Sequence, residues 1–325
     1  MNRRQISLGI MGFCAIGLGA AVTAHADNKQ TTVRIGYQKS STLIAILKAN
    51  GELEKDLAKL GVSVSWSEFQ NGLPVLEALN VGAIDISGDV ADTVPVFAQA
   101  AGANLTYIAS EAPSPTAQAL LVPATSPIKS VSELKGKKIA VTKGAGSHYL
   151  LIAALARDGL DFKDITPAYL PPADGRAAFE KGAVDAWVTW DPFVSAAIRQ
   201  SKARLLTDGT NLASYNRYYL ASAKFAAARP DVLRVVFDKL KETGVWVKKN
   251  PDAAVKILAP VWHLDPEIIA KANSHRSYDV REVTQANLVE EQKIADTFFA
   301  QKLLPRAIKT TESRIWSPSK QAAAN

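Results

Sequence analysis

A five-residue pattern occurs twice in the chain, one hundred residues apart. Residues Gly82–Ile86 read Gly-Ala-Ile-Asp-Ile, and residues Gly182–Ala186 read Gly-Ala-Val-Asp-Ala. Each copy follows a helix-like run and leads into a second aspartate, Asp89 in the first copy and Asp191 in the second. A unit made of a helix, a glycine turn and a short strand has therefore been used twice. Two similar α/β units predict two lobes with a cleft between them.

The first 26 residues have the composition of an export signal. Arg3 and Arg4 form a basic start, residues 6–22 are apolar, and residues 24–26 have the small-x-small form of a cleavage site. A membrane anchor is the alternative, which the short, glycine-rich apolar stretch and the lack of following stop-transfer charges disfavour. We predict an exported protein that is cleaved near Ala26. The adjacent arginines leave both the general secretory route and the twin-arginine route open.

The composition of the chain limits the kinds of partner that it is expected to bind. Removal of the predicted signal leaves 299 residues, enough for two domains, and takes away the single cysteine, Cys14. Stability must then come from a sizeable apolar core and not from disulfides. The net charge after residue 26 is +5, without a run rich in Lys or Arg, so we expect no nucleic-acid partner. A mild positive field suits a small anionic ligand.

Strand-like and helix-like stretches alternate along the chain, which predicts an α/β fold with mostly parallel sheets. The turn-rich residues 111–115 and the polar, aromatic residues 211–218 interrupt this alternation, and we interpret them as two crossings between the lobes. Lobe I is then expected to comprise residues 31–112 and 216–325, with the C-terminal helices packed on it, and lobe II residues 113–215. Two crossings form a hinge about which the lobes can close on a ligand.

The candidate binding residues follow from this topology, because ligands of open α/β sheets lie beyond the carboxyl ends of the strands. Ten residues are predicted to line the cleft at these ends: Gln38, Ser40, Ser87, Gly88, Asp89, Gly146, Ser147, His148, Trp190 and Asp191. Glycine turns and helix starts present backbone N–H groups that attract anions. Trp190 adds an apolar wall with one N–H donor.

Several of the candidates also have a plain structural interpretation. Residues 143–148 form neither a Walker A loop nor a dinucleotide fingerprint, and can be a tight turn capped by Ser147. Asp89 can cap a helix expected to start there, Asp191 can cap the helix that follows it, and Trp190 can be a core residue. The residues themselves leave these alternatives open.

Catalysis has little support in the sequence. Only three histidines follow the predicted signal, His148, His263 and His275, and no HExxH, GxSxG or Cys/His metal spacing occurs. Ser147 beside His148 admits a nucleophile–base pair, but adjacent residues at a helix start seldom face each other. We therefore predict no enzymatic activity, no cofactor and no metal, with an exported hydrolase as the rival.

Segments spread over nearly the whole chain resemble one family. They are Ile35–Lys39, Ser65–Phe69, Leu76–Asp85, Phe97–Gly102, Ser126–Lys129, Ala183–Pro192 and Arg314–Trp316. In this order they resemble the periplasmic aliphatic-sulfonate-binding proteins of ABC importers, whose relatives bind taurine, nitrate or a pyrimidine precursor. The resemblance implies a two-lobed, type II periplasmic binding fold without enzymatic activity. Such a protein delivers its ligand to an inner-membrane permease, and we expect a monomer.

The resemblance also implies where a ligand is held. Sulfonate contacts would fall near Gln38, residues 87–89, residues 147–148 and residues 190–191. The sequence departs from the family at residues 145–146, where serines are common, so the ligand within the class stays open. An aliphatic sulfonate, taken up as a sulfur source, is the leading prediction, with taurine, nitrate and a pyrimidine precursor as alternatives.

Taurine differs from a plain alkanesulfonate by its ammonium group. A carboxylate close to the ligand would be needed to pair with that charge. The candidates for this carboxylate are Asp89, Glu111 and Asp191.

Overall fold

The computed structural model describes residues 31–319. The predicted signal peptide and its cleavage near Ala26 lie outside these residues. Between residues 31 and 319, no helix has both the length and the apolar composition that a bilayer crossing requires. The described chain builds two β-sheets, and helices pack against both.

The first sheet takes its strands from both ends of the described chain. In spatial order β2-β1-β3-β10-β4-β11, with β12 also beside β4, it contains β1 (Thr31–Gln38), β2 (Val62–Phe69), β3 (Ile86–Ala91), β4 (Leu105–Glu111), β10 (Arg217–Ser222), β11 (Val280–Arg281) and β12 (Arg314–Ile315). The second sheet, in the order β7-β6-β8-β5-β9, comes from one continuous stretch: β5 (Gln118–Val122), β6 (Lys138–Val141), β7 (Thr166–Tyr169), β8 (Ala186–Trp190) and β9 (Arg204–Asp208).

Both sheets are mixed, which corrects the expectation of mostly parallel sheets. The parallel pairs are β1 with β2 and β3, β6 with β7 and β8, and β12 with β4. Strands β10 and β5 are antiparallel to both of their neighbours in the sheet path. These two strands receive the chain after each crossing, and each runs opposite to both of its neighbours.

The repeated pentapeptide forms the same structure twice. Gly82 and Gly182 both have φ angles in the left-handed region that glycine tolerates, 73° for the first and 67° for the second. Asp85 accepts a hydrogen bond from the backbone N–H of Arg34 at 2.9 Å, and Asp185 accepts one from the N–H of Lys138 at 2.8 Å. Each aspartate therefore fixes the strand that follows it against the neighbouring parallel strand.

Twelve α-helices lie between residues 31 and 319. They are α1 (Thr42–Asn50), α2 (Glu52–Ala58), α3 (Gly72–Asn80), α4 (Thr93–Ala100), α5 (Gly146–Arg157), α6 (Pro172–Glu180), α7 (Phe193–Gln200), α8 (Ala223–Ala228), α9 (Pro230–Lys249), α10 (Pro251–Trp262), α11 (Pro266–Ser274) and α12 (Gln285–Ala300).

The C-terminal helices pack on the first sheet, as predicted. Helices α9 and α10 bury Val236, Leu240 and Leu258 in one cluster with Ile35 of β1 and Leu43 of α1. Apolar residues at a spacing of three or four place this face of α9 against the core. Helix α12 differs, because it also contacts the helix layer of the second sheet.

The contact of α12 with the second sheet's layer is apolar. Ile294 and Phe298 of α12 share a cluster with Leu151 and Leu155 of α5. The ring of Phe298 meets that of Phe97 on α4 edge-on, with centroids 4.9 Å apart. Burial of these side chains joins α4, α5 and α12.

Candidate functional site

The carboxyl ends of strands from the two sheets meet at one place. Trp190, the last residue of β8, donates a hydrogen bond from Nε1 to Oγ of Ser40, which follows β1, at 3.2 Å. Trp190 is 3% exposed and Ser40 5% exposed, so the contact is closed to solvent. The structure thus brings together two of the predicted ligand residues, one from each sheet.

On the first sheet, Gln38 and β3 form one wall of this region. The Gln38 side chain donates from Nε2 to the carbonyl oxygen of Asp89 at 2.9 Å, and the Ser87 hydroxyl donates to the carbonyl of Gly88 at 2.7 Å. The pairing of β3 with β10 is irregular here, since Tyr219 faces both Gly88 and Asp89. Such a bulge redirects the side chains of a strand, and it accompanies the turn of Asp89 toward buried arginines.

The alternative that Asp89 caps a helix is wrong. Strand β3 continues to Ala91 and α4 begins only at Thr93. The fully buried Asp89 carboxylate instead pairs with Arg217 at 2.5 Å and with Arg276 at 3.2 Å. Burial acts to raise the pKa of Asp89, but the charges of Arg276 and Arg217 outweigh it and hold the pKa below its usual value.

Glu111 at the end of β4 belongs to the same buried group. Its two oxygens accept hydrogen bonds from Nη2 of Arg276 at 2.6 and 2.8 Å, and Oε1 also accepts one from the hydroxyl of Tyr219 at 2.7 Å. Two arginines and two carboxylates therefore balance inside the protein. We call Asp89, Glu111, Arg217 and Arg276 the four-charge cluster. Sequence reasoning missed both arginines, although a basic residue within the strand-like run at Arg217 was a signal.

The start of α5 lies against the second crossing, and Ala145 before it shares an apolar cluster with Trp190 and Tyr215. No described residue accepts a hydrogen bond from the backbone N–H of Gly146 or Ser147. The Ser147 hydroxyl is fully buried and has no partner among the described residues, so Ser147 does not cap the helix. A Cβ on Gly146 would stand 2.4 Å from the ring of Tyr215, and glycine is therefore required for this close approach.

His148 points away from this region into an aromatic cluster. Its ring lies 5.2 Å from that of Phe162, 5.6 Å from Tyr169 and 5.1 Å from Phe298, and its Nδ1 accepts a hydrogen bond from the N–H of Gly144. Burial, with the nearby charge of Lys143, lowers the pKa of His148 to about 3, so the ring is neutral. The structure gives no hydrogen bond between His148 and Ser147.

Asp191 has two sets of partners. Its Oδ1 accepts hydrogen bonds from the N–H and the hydroxyl of Ser195 in the first turn of α7, at 3.0 and 2.6 Å. Its Oδ2 lies 2.6 Å from Nδ1 of His275, which follows α11. Asp191 therefore accepts a hydrogen bond from the first turn of α7, as a cap does, although the helix begins at Phe193 with Pro192 at its N-cap position, and it also contacts the residue that follows α11.

Asp92, and not Asp89, is the structural counterpart of Asp191, because each directly follows its strand, β3 or β8. Asp92 exchanges hydrogen bonds with Asn216 on the second crossing: its N–H donates to the Asn216 carbonyl at 3.0 Å, and its Oδ2 accepts from the Asn216 N–H at 2.9 Å. Burial raises the pKa of Asp92 to about 7, and the charge of Glu290 adds to this effect.

The site geometry can be compared with known proteins. Residues 57–254 match a family model described as NMT1/THI5 like. The alkanesulfonate-binding protein SsuA from Xanthomonas axonopodis pv. citri, solved bound to MOPS, is similar over 88% of this chain and 98% of its own, with 38% identity and a TM-score of 0.84. The periplasmic aliphatic sulphonate binding protein SsuA from Escherichia coli covers 88% and 92%, with 41% identity and a TM-score of 0.80. The chain belongs to this family of aliphatic-sulfonate-binding proteins.

Membership of the family confirms several predictions. The likeness to these structures confirms the two-lobed α/β binding-protein fold, and the named relatives are binding proteins and not enzymes. A more distant relative is the taurine-binding periplasmic protein of Escherichia coli (strain K12), 27% identical over 74% of this chain and 71% of its own. Within residues 31–319, no group of three or more His, Cys, Asp or Glu residues is arranged to hold a metal ion.

Proposed function

We propose that this protein captures aliphatic sulfonates in the periplasm and delivers them to an ABC importer, as a route of sulfur acquisition. The observation that carries the proposal is the meeting of neutral donors from both sheets. Trp190 Nε1 lies 3.2 Å from Ser40 Oγ, and the start of α5 offers the N–H groups of Gly146 and Ser147. A ligand held between these groups contacts both sheets only when they approach, so binding favours the closed state.

The chemistry of a sulfonate suits such donors. Its single negative charge is spread over three oxygens, and each oxygen is a weak acceptor. Backbone N–H groups, a serine hydroxyl and the positive end of a helix dipole hold such a group without burying a full counter-charge. The indole of Trp190 supplies an apolar surface for the alkyl tail.

The paired carboxylates favour a plain alkanesulfonate over taurine. Asp89 is held by Arg217 and Arg276, and Glu111 is held by Arg276. Asp191 is held by His275 and Ser195. An ammonium group at the site would have to take a carboxylate from its buried partners, which leaves those partners unpaired at a cost of several kcal/mol.

The proposed contacts are a subset of the predicted residues. We assign the anion to Ser40, Gly146, Ser147 and the N–H of Trp190, with the Trp190 ring against the tail. Gln38 and residues 87–89 then support this wall through the bonds that Gln38 and Ser41 make to the Asp89 carbonyl. Asp191 acts through His275, and His148 supports α5 from within the aromatic cluster.

The proposal extends to the lobes and the partner. We take residues 31–112 with 216–325 as one lobe and residues 113–215 as the other, since the two sheets divide the strands in this way. Removal of residues 1–26, action as a monomer and docking to an inner-membrane permease complete the proposal.

A thermal-shift panel tests the ligand assignment. The purified protein is heated with ethanesulfonate, butanesulfonate, taurine, nitrate and sulfate, each over a range of concentrations. A ligand at 100 times its Kd stabilises the fold by about 2.7 kcal/mol, which for a chain of this size raises Tm by several degrees. We expect shifts with the alkanesulfonates and a much weaker one with taurine. A shift with nitrate or taurine and none with any alkanesulfonate would contradict the assignment.

A further inference from the structure

Three consecutive residues after α11, His275, Arg276 and Ser277, contact three separate parts of the molecule. None of them was among the predicted binding residues. Arg276 is 4% exposed, and its guanidinium lies between the end of β1 and the end of β4 in the first sheet. Its guanidinium also lies over the ring of Tyr278, 4.7 Å from the centroid.

Arg276 joins the strand ends of the first sheet. Its Nη1 donates to the carbonyl oxygen of Ser40 at 3.2 Å and to the hydroxyl of Thr42 at 3.1 Å. Its Nη2 donates to Asp89 at 3.2 Å and to both oxygens of Glu111 at 2.6 and 2.8 Å. One planar guanidinium thus holds the ends of β1, β3 and β4 at fixed separations, which a flexible ammonium cannot do.

The residues on either side of Arg276 reach beyond the first sheet. His275 contacts Asp191 at the end of β8 in the second sheet, with Nδ1 and Oδ2 2.6 Å apart. The Ser277 hydroxyl donates to the carbonyl of Ala112 at 2.7 Å, and its N–H donates to the Ser114 hydroxyl at 3.0 Å. Both of these partners lie in the first crossing between β4 and β5.

We propose that residues 275–277 position the cleft for its ligand, with Arg276 as the positioning residue for the Ser40 loop and β3, and His275 as the link to Asp191 in the closed arrangement. The inference rests on the function proposed above and deepens it. It assigns no ligand contact to Arg276. The segment sets the distance between Ser40 and the neighbouring strand ends, while Ser277 anchors it to the first crossing.

Stability alone is a poor explanation of this arrangement. Burying two arginines and two carboxylates carries a desolvation penalty that their attraction offsets only with good geometry, and apolar residues of similar size often stabilise a fold as well. A buried charge cluster of this kind contributes a defined geometry. Here the geometry concerns the ends of β1 and β3, beside the Ser40 donor of the proposed site.

The test compares three single variants with the unchanged protein. Arg276→Lys keeps the positive charge but removes the planar guanidinium with its several N–H donors. His275→Gln weakens the contact with Asp191. Arg281→Gln is the matched control, because Arg281 pairs with Asp279 close by but is 61% exposed at its side chain. Butanesulfonate affinity and dissociation rate are measured by calorimetry and stopped-flow fluorescence. Amide hydrogen exchange of residues 86–91 is measured without ligand.

We expect Arg276→Lys to weaken butanesulfonate binding about tenfold, the loss typical of a charged hydrogen bond, and to speed ligand-free exchange at residues 86–91. His275→Gln is expected to raise the dissociation rate severalfold while the association rate changes little, because the link forms on closure. Arg281→Gln should change neither quantity. A lower Tm with unchanged affinity and unchanged local exchange in Arg276→Lys would overturn the proposal.

A second variant can be used for the same test if Arg276→Lys does not fold. Glu111→Gln has the same shape and removes one charge from the four-charge cluster, and it should show the same two effects to a smaller degree. The exchange measurement needs no ligand. If the unchanged protein binds no sulfonate, the proposed function is wrong. The exchange rates of residues 86–91 then still test whether Arg276 positions this strand.

Discussion

Trp190 links the two sheets through a single side-chain hydrogen bond. Its indole packs edge-on against Phe193, with ring centroids 5.9 Å apart, and is 3% exposed. The sequence left open whether Trp190 is a core residue or a cleft residue. The structure shows that the ring is buried and also lies where the two sheets meet. Since the N–H already has Ser40 as its partner, a ligand anion at this point competes with Ser40 for the same donor.

Replacing Trp190 by Phe separates these roles. Trp190→Phe keeps an aromatic surface and removes the N–H donor, so we expect butanesulfonate affinity to fall by about 1 kcal/mol, roughly fivefold. Trp66→Phe is the matched control, because Trp66 Nε1 donates to Glu54 at 2.7 Å outside the cleft. Calorimetric titration of both variants gives the comparison. Equal losses of affinity in the two variants would exclude a ligand role for the Trp190 N–H.

Local sequence patterns predict some of the site residues but not the buried ion pairs. The end of β1 and the start of α5 were identified because glycines, serines and strand ends are visible locally. The partners of Asp89 could not be identified in this way, because Arg217 and Arg276 lie 128 and 187 residues further along the chain. A helix cap needs only neighbouring residues, whereas a buried ion pair depends on the tertiary fold.

At the scale of elements, the start of α5 rests against the second crossing. Gly146 contacts the ring of Tyr215, whose hydroxyl accepts a hydrogen bond from Nη2 of Arg217 at 3.1 Å. Arg217 in turn holds Asp89. The N-terminus of α5 is therefore connected through two side chains to β3 of the other sheet.

A methyl group at Gly146 disturbs this contact. We expect Gly146→Ala to weaken butanesulfonate binding at least tenfold, because a Cβ 2.4 Å from the Tyr215 ring forces α5 or the crossing to shift. Tyr215→Ala makes room, so the double variant should lose less affinity than the two single losses combined. Calorimetry on the four proteins completes the cycle. Strict additivity would contradict the proposed coupling between α5 and Tyr215.

An acidic group that responds to pH is bonded to the second crossing. Asp92 has a pKa of about 7, against 3.8 when exposed, chiefly because it is buried. Between these two pH values the folded chain holds a proton that the unfolded chain releases. The contribution of Asp92 to stability therefore falls as pH rises from 3.8 to 7, by at most about 1.4 kcal/mol per pH unit.

Removing this ionisation changes how stability depends on pH. We expect the free energy of unfolding of Asp92→Asn, relative to the unchanged protein, to increase as pH is raised from 4 to 8. Any constant cost of the amide leaves this slope unaffected. Urea unfolding at five pH values measures it, with Asp296→Asn on the exposed side of α12 as the control. A difference that is the same at pH 4 and pH 8 would mean that Asp92 ionises as an exposed aspartate does.

At the scale of the whole molecule, helices α7 and α11 meet across the cleft. Arg199 of α7 pairs with Glu267 of α11, and His275 pairs with Asp191 beside them. The first pair is exposed, and exposed ion pairs contribute little to stability. The contact between α7 and α11 therefore depends little on the Arg199–Glu267 pair.

The distance between α7 and α11 reports directly whether the two sheets approach each other when a ligand binds. Spin labels on Lys202→Cys, after α7, and Lys271→Cys, on α11, report the separation by double electron–electron resonance, since the only natural cysteine is Cys14. We expect a broad distribution without ligand and one short distance with butanesulfonate, because binding shifts the population toward the closed form. The same labels on Lys239 and Lys55, both in the first sheet's layer, should report no change. An unchanged distribution for the first pair would contradict ligand-driven closure.

The architecture was more predictable than the strand directions. The Gly82–Ile86 repeat identified two units because the same turn and the same aspartate bond recur in both. Alternating patterns identified most strands and the long C-terminal helices for the same local reason. The antiparallel strands β5 and β10 were not foreseen, since hydrophobic pattern carries no direction and the crossing decides it.

The position of β10 has a consequence for how the chain matures. This strand lies between β3 and β4 and contacts both along most of its length. Residues 31–111 therefore cannot complete their own sheet until residue 222 has left the ribosome and the translocation channel. The continuous stretch from β5 to β9 supplies every strand of the second sheet, so this sheet can form first although it is synthesised second.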